Sequence, residues 1–507
     1  MPGANDEVQP RPRQSNGSAS ALALAGAAGS TIANFGVAIA VNHISTAFAG
    51  IFFVSVSVIT ILGNSSCLGT MTGLVYFMPK TSEGTTNNPR SLLAIAFGPV
   101  LAVGTLFAAI VALSASTIGE LVADKGAEDV AQMIRVLAIT IPLWGLTVAI
   151  FGATRGLGSM TPTALIGRVF RPVAQVVLIG AVALSSDNPN PAAVALAWAI
   201  PVVVAAVAGL VALQRLGGFA NTGQPQVSAG EFWRFVRPRS VSTALQITLE
   251  RVDVIIVSAL APQAGLQAEV ASGIYGSLSR FITAANFLVA SLTQAVTPKI
   301  RRAFANENGQ RAQHLIDQTT GWMVMILWPY LLILALQPKP IIGLVASGDD
   351  AALGTTALTI LALGVLFSPA AGPADGTLLM LGRSGWSLAG TAIAVAIDLI
   401  LLALLVPRFG LTGAAVAWVA AVITANLLPL SLTNRFAGLR PFPGRPAFIA
   451  AAGALAAVLP LGLLVPDTRA GLFWTTGVAG LGMAAYVWFF AGDLSVPLEK
   501  IRRLRSP

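Results

Sequence analysis

Residues 191–213 read PAAVALAWAIPVVVAAVAGLVAL, a run of twenty-three positions without a charge. An α-helix rises about 1.5 Å per residue, so ~20 apolar residues cross the ~30 Å hydrocarbon core of a bilayer. The run is long enough to span, and Pro201 inside it is no obstacle, because membrane helices tolerate proline better than soluble ones do. Five comparable runs precede it, near 21–43, 48–78, 92–116, 131–154 and 161–185. Eight follow, near 239–261, 271–297, 318–337, 355–379, 385–406, 411–430, 446–466 and 470–490. The expected fold is an all-α polytopic membrane protein of about 14 transmembrane helices.

Composition excludes a soluble reading. Only 10% of the 507 residues are charged while 55% are hydrophobic, and a soluble domain carries about 25% charged residues. The 50 Gly and 30 Pro fall within the apolar runs rather than in polar low-complexity tracts. Short alternating segments are missing, which argues against a β-barrel. The single cysteine, Cys67, lies in an apolar stretch and allows no disulfide framework or cysteine metal cluster. Residues 1–20 are rich in Pro, Ser and Asn and are expected to be disordered. They lack the layout of a cleaved signal peptide, so the first apolar run reads as the first helix.

The formal net charge of +9 suggests nucleic acid until the charges are placed along the chain. With alternating spans, 23 of the 30 Lys and Arg fall on one side, and Lys125, Lys339, Arg408 and Arg469 on the other. Arg135, Arg251 and Arg280 fall within spans. Such asymmetry is the positive-inside pattern. It predicts both termini in the cytoplasm and no nucleic-acid partner. The opposite loops are short and acidic, with Glu120, Asp124, Glu128, Asp129, Asp187, Asp349 and Asp350.

Two stretches about 220 residues apart look alike. Met78-Pro79-Lys80 closes the second span as Thr297-Pro298-Lys299 closes the eighth. Gly156-Leu157-Gly158-Ser159 follows the fourth as Met380-Leu381-Gly382-Arg383 follows the tenth. A six-span unit repeated in the same orientation is one common transporter plan. The expected organisation is an N-lobe at 21–213, an amphipathic cytoplasmic linker at 214–238 and a C-lobe at 239–430. Two further spans at 431–490 and a basic tail at 491–507 complete it.

Chemistry is sought where ionisable groups sit inside spans, since each costs about 2.5–3.5 kcal/mol at a helix centre on insertion scales. The seventh span contains Leu249-Glu250-Arg251-Val252-Asp253, the eighth Arg280 and the eleventh Asp398. Glu250 and Asp253 are three apart and share a helix face, with Arg251 turned away. One reading makes these groups mutually neutralising helix glue. The other makes Arg251 and Arg280 anion ligands in a wet cavity, with Glu250, Asp253 and Asp398 as coupling or cavity carboxylates. Pro369 and Pro373 mark a break or hinge in the tenth span. A phosphate loop and an H-E-x-x-H motif are both missing, and His43 and His314 lie near opposite faces. Neither a metal nor a cofactor is expected.

The chain resembles the polysaccharide and lipid-linked oligosaccharide flippases of the multidrug/oligosaccharidyl-lipid/polysaccharide (MOP) exporter superfamily. The resemblance rests on the order of strings across about 21–490. Gly69-Thr70-Met71-Thr72-Gly73-Leu74-Val75-Tyr76-Phe77-Met78-Pro79 is similar to the end of their second helix, and Glu231-Phe232-Trp233-Arg234-Phe235 to their lead-in to helix seven. Asp253-Val254-Ile255-Ile256-Val257 and Ile274-Tyr275-Gly276-Ser277-Leu278-Ser279-Arg280-Phe281 resemble segments of helices seven and eight. The resemblance implies two six-helix lobes working by alternating access on a polyprenyl-diphosphate-linked glycan, with Arg251 and Arg280 as its ligands. It also implies glycan-assembly proteins as partners and a bacterial plasma membrane location.

Other readings remain open. Lipid II flippases of the superfamily also have fourteen helices, but carry cavity charges in their first two, where this chain has none. A drug or cation exporter of the superfamily usually has twelve. A membrane enzyme needs an acid or base on a sizeable outer loop, and none is present, so the protein is read as a non-enzyme.

Overall fold

The computed structural model describes residues 16–78, 88–186, 188–220, 227–306, 309–346, 350–381, 383–438, 440 and 444–489. The basic tail at 491–507, the Pro79-Lys80 pair and Gly382 lie outside the described residues. Among the described residues the chain forms helices and connections, with no strand.

The first half comprises α1 (Asn16–Ile44), α2 (Thr46–Phe77), α3 (Pro89–Leu113), α4 (Ala127–Ala138 bent into Thr140–Gly156), α5 (Thr163–Ser185) and α6 (Pro191–Arg215). The second comprises α7 (Ala229–Leu260), α8 (Ala268–Ala305), α9 (Gly309–Leu336), α10 (Thr355–Met380), α11 (384–409) and α12 (411–437). Then come α13 (Arg445–Leu464) and α14 (Arg469–Phe489). By length and composition nine described helices are apolar enough to cross a membrane, or ten with the bent α4 counted as one span. One of those nine is the 52-residue stretch Gly385–Phe436, which is two rods: Gly410 (φ 53, ψ −130) breaks it. The remaining rods are α1, α7 and α8. Of these, α7 carries Glu250, Arg251 and Asp253 and α8 carries Arg280 within their apolar runs. Fourteen rods therefore stand where fourteen spans are expected.

Two boundaries differ from expectation for local reasons. The helix expected to begin near 239 begins at Ala229, because Ser228 caps it: its Oγ accepts the Glu231 N–H at 3.1 Å. Ser228-Ala229-Gly230-Glu231 is the S-x-x-E start pattern, and Phe232 and Val236 then bury against Leu74, Phe77 and Leu93. The expected linker at 214–238 thus ends in the first turns of α7. At the other end, α1 starts at Asn16 rather than after residue 20.

The connections define two ends of the bundle. Glu120, Asp124, Glu128 and Asp129 surround the α3–α4 connection at the acidic end; Arg155, Arg215, Arg383 and Arg435 mark the basic end. One apolar core runs through both halves, with Phe52, Ile59, Ile134 and Trp198 on one side and Ile274, Leu278, Leu331 and Trp418 on the other. A smaller core joins α9 to α13, and Tyr486 of α14 donates to the Ile449 carbonyl of α13 at 2.9 Å.

Helix α2 holds the halves together. Near the acidic end it lies backbone-to-backbone on α8: a Cβ on Gly50 would collide with the Glu269 carbonyl, and one on Gly273 with the Thr46 carbonyl. Close approach through small residues is how membrane helices gain van der Waals contact where lipid offers no hydrophobic drive. We predict that Gly273→Leu pries this seam open. In a Cys67→Ala background, a cysteine placed at buried Ser277 should then react several-fold faster with a membrane-impermeant maleimide applied from the acidic-end side. Unchanged labelling would show that the seam does not close that end.

Candidate functional site

A cavity of about 290 Å³ opens within the second half, between α7, α8, α10 and α12. Its polar lining comes from Gln246, Glu250 and Asp253 of α7 and from Tyr275, Ser279, Thr283 and Asn286 of α8, with Ser368 and Asn426 opposite. Leu249, Ile282, Phe287, Leu361, Trp418 and Val422 supply the apolar wall. The spacing of three between Glu250 and Asp253 puts both carboxylates on one face, and that face lines the cavity. Asp253 is buried and accepts its neighbour's backbone N–H, from Val254, at 2.8 Å. Tyr275, fully buried beside it, donates its hydroxyl to the Ala414 carbonyl of α12 at 3.5 Å.

The arginines stand beside this cavity rather than in its wall. Arg280 points from α8 to α2, its guanidinium 4.8 Å from the Phe53 ring centroid, at the seam between the halves. Arg251 lies close enough to interact electrostatically with Asp253 and Arg280, and its Nε is buried without a partner. Among the described residues the one ion pair within 4.0 Å is Arg135–Glu128, at the acidic end. The seventh- and eighth-span charges therefore form no contact ion pairs. They form a loose cluster whose donors are largely unspent.

Asp398 of α11 joins the cluster from behind. It is fully buried, neither of its carboxylate oxygens has a hydrogen-bond partner, and Asp253 is a near negative neighbour. An ionised carboxylate in such a place is costly unless a proton or cation accompanies it. Pro369 and Pro373 flank a real break in α10, but its pivot is the glycine between them. Gly372 has φ 66 and ψ −156, a left-handed backbone, and a Cβ there would strike Thr320 Oγ1.

Hydrogen bonds join the two halves at both ends of the bundle. At the acidic end Glu269 Oε1 accepts the Lys125 and Gly126 N–H groups at 2.7 and 2.9 Å, and Asp124 Oδ2 accepts that of Ala268 at 2.9 Å. Each half thus supplies a carboxylate to the other's backbone. At the basic end α2 breaks at Leu68 and Gly69 (φ 50 and 69), and Ser240 Oγ of α7 donates to the Leu68 carbonyl at 2.5 Å.

This arrangement of rods recurs in solved transporters. The lipid II flippase MurJ in an inward closed conformation superposes with a TM-score of 0.72 at 12% identity, over 94% of this chain and 99% of that one. An inward-facing multidrug resistance MATE family transporter of the MOP superfamily does so at 0.62 and 16%, over 82% and 98%. A MOP superfamily transporter from Pyrococcus furiosus, whose reversed pocket polarity suggests a different function for it, gives 0.60 and 16%, over 82% and 94%. The chain has the fold of a MOP superfamily transporter. It is a multi-pass membrane protein. No family model and no curated protein matches the sequence.

Placing the charges on the MOP fold corrects the sequence reading at one arginine. Arg171 was counted with the basic-end loops, yet it lies beyond a π-helical segment, Thr163–Phe170, inside α5. Its guanidinium sits 4.3 Å from the Trp144 ring centroid, and Trp144 stacks on Trp198 at 5.7 Å. The signal was present: Arg171-Pro172 stands in the interior of the run at 161–185. Counting charges by side assigns such a residue to topology and overlooks its depth.

Proposed function

We propose that the protein exports a polyprenyl-diphosphate-linked glycan, moving its headgroup from the basic-end leaflet to the acidic-end leaflet by alternating access. The observation that carries this reading is the pair Arg251 and Arg280, intramembrane guanidiniums without a contact ion pair, one of them at the seam between the halves. Guanidinium donors suit phosphate oxygens, and a diphosphate cannot cross a dry bilayer. A seam that opens to one side at a time admits the headgroup while the lipid tail stays in the membrane.

Coverage supports a flippase over a drug exporter. The MurJ superposition takes in 94% of this chain and the MATE one 82%. The difference, about 60 residues, is the size of the α13–α14 pair with its connections.

Membrane potential supplies part of the drive. The positive-inside pattern supports a cytoplasmic basic end with both termini inside, and the membrane proposed is a bacterial plasma membrane. An interior-negative potential then favours outward movement of an anion by about 2.3 kcal/mol per charge per 100 mV. Glu250, Asp253 and Asp398 form the coupling site, taking up a proton or cation when the cavity faces one side and releasing it on the other. Glycan-assembly enzymes at the membrane supply and consume the cargo.

The test is transbilayer movement in proteoliposomes of a fluorescent oligosaccharide on a polyprenyl diphosphate. Wild type should expose it to an impermeant quencher at least tenfold faster than protein-free vesicles. One observation favours a second reading: the cavity wall itself is carboxylate-lined, by Glu250 and Asp253, which suits a cationic drug. Efflux of a cationic dye by the same vesicles, with no glycolipid movement, would establish that reading instead.

A further inference from the structure

The first half contains a half-buried cation, Arg171, that none of the groups above neutralises. Among the described residues of the first half the acidic side chains, Glu120, Asp124, Glu128 and Asp129, stand around the α3–α4 connection at the acidic end. Arg171 nonetheless reaches into the interior, to the level of Trp144, whose ring packs on Gly63 near the middle of α2. Its Nε is buried with no acceptor, and its terminal nitrogens make no hydrogen bond to a described residue. What holds it is the face of Trp144, itself braced by Trp198, whose carbonyl accepts a hydrogen bond from Gln175 one turn beyond Arg171.

Local backbone contributes. The π-helical segment Thr163–Phe170 ends immediately before Arg171, and such segments recur at functional sites. Arg155 of α4 and Arg168 of α5 interact electrostatically with each other nearer the basic end. The three guanidiniums form a positive ramp from the basic end into the first half.

We propose that Arg171 is the deep ligand of a second anion site, in the first half, that takes a phosphate-bearing lipid headgroup. The chemistry follows from the residue. A guanidinium held over an indole ring spends no N–H donor on that contact, and guanidinium donors bind phosphate oxygens in pairs. The site is distinct from Arg251 and Arg280, which share their surroundings with Glu250, Asp253 and Asp398. Its ligand is either the diphosphate of the cargo, which rests on the function proposed above, or the phosphate of a bulk anionic phospholipid, which does not.

Native mass spectrometry of the full-length protein separates these cases, using undecaprenyl diphosphate and phosphatidylglycerol as probes. The variants are Arg171→Gln, Arg171→Lys and Arg280→Gln, each first shown to match wild type in size-exclusion profile. The expected result is a ten- to hundredfold weaker binding of one probe to Arg171→Gln, as for lost charge-assisted hydrogen bonds, with most of it restored by Arg171→Lys. Loss confined to undecaprenyl diphosphate identifies cargo, and loss confined to phosphatidylglycerol identifies a resident lipid; both support the site. If Arg171→Gln binds both probes like wild type, or wild type binds neither, the site does not exist. Failure of undecaprenyl diphosphate to bind wild type, with phosphatidylglycerol binding lost in Arg171→Gln, would sink the flippase reading and leave the anion site standing.

Discussion

Arg280→Ala is expected to reduce glycolipid export by a hundredfold or more while the protein still inserts and accumulates normally. Two hydrogen bonds from a guanidinium to phosphate oxygens contribute about 1.5–3 kcal/mol each, and losing them with the charge removes most of the hold on a diphosphate at the seam between the halves. Stability should change little, because the side chain has no contact ion pair to leave broken. Its partner is the Phe53 ring at 4.8 Å, a contact of about 0.5–2 kcal/mol. Arg280→Lys keeps the charge but not the paired donors and should fall between, within about tenfold of wild type. The check is the quencher assay in proteoliposomes together with membrane abundance. Normal export by Arg280→Ala would remove this residue from the substrate route.

Asp398→Asn is expected to do the opposite to the two properties it touches. The side chain is fully buried and both its oxygens lack partners. An amide of the same shape removes a charge that the resting protein gains nothing from, so thermal stability should hold or rise. Coupling should disappear. Transport by the variant should lose its dependence on an imposed proton or sodium gradient and fall at least tenfold when that gradient is the sole drive. The measurement is flux in vesicles with the membrane potential clamped and each gradient applied in turn. Retained gradient dependence, with a lowered melting temperature, would make Asp398 a structural residue.

The fold was legible because the bilayer imposes one length and one backbone solution on every crossing segment. Spans 92–116 and 470–490 correspond to helices Pro89–Leu113 and Arg469–Phe489 within a few residues. Where the reading missed, a local signal had been weighed too lightly. Ser228 and Glu231 announce the start of α7, yet Arg234, Arg237 and Arg239 give the same stretch the character of an amphipathic linker.

Candidate site residues were legible in kind, since a charge inside an apolar run is conspicuous whatever surrounds it. Their grouping was not. That Glu250 and Asp253 face a cavity while Arg280 faces Phe53 depends on which helices lie beside α7 and α8, and no local pattern encodes that. The break in α10 was read from Pro369 and Pro373, the residues that stand out in a sequence. The left-handed turn belongs to Gly372, which stands out only once Thr320 is seen against it.

The flippase reading is tested most directly by mass spectrometry of lipid-linked glycans in cells depleted of this protein. The account predicts that one polyprenyl-diphosphate glycan accumulates on the cytoplasmic side while the matching surface polymer is lost. Unchanged lipid-linked glycans, with new sensitivity to cationic dyes, would contradict it and assign the carboxylate-lined cavity to drug export.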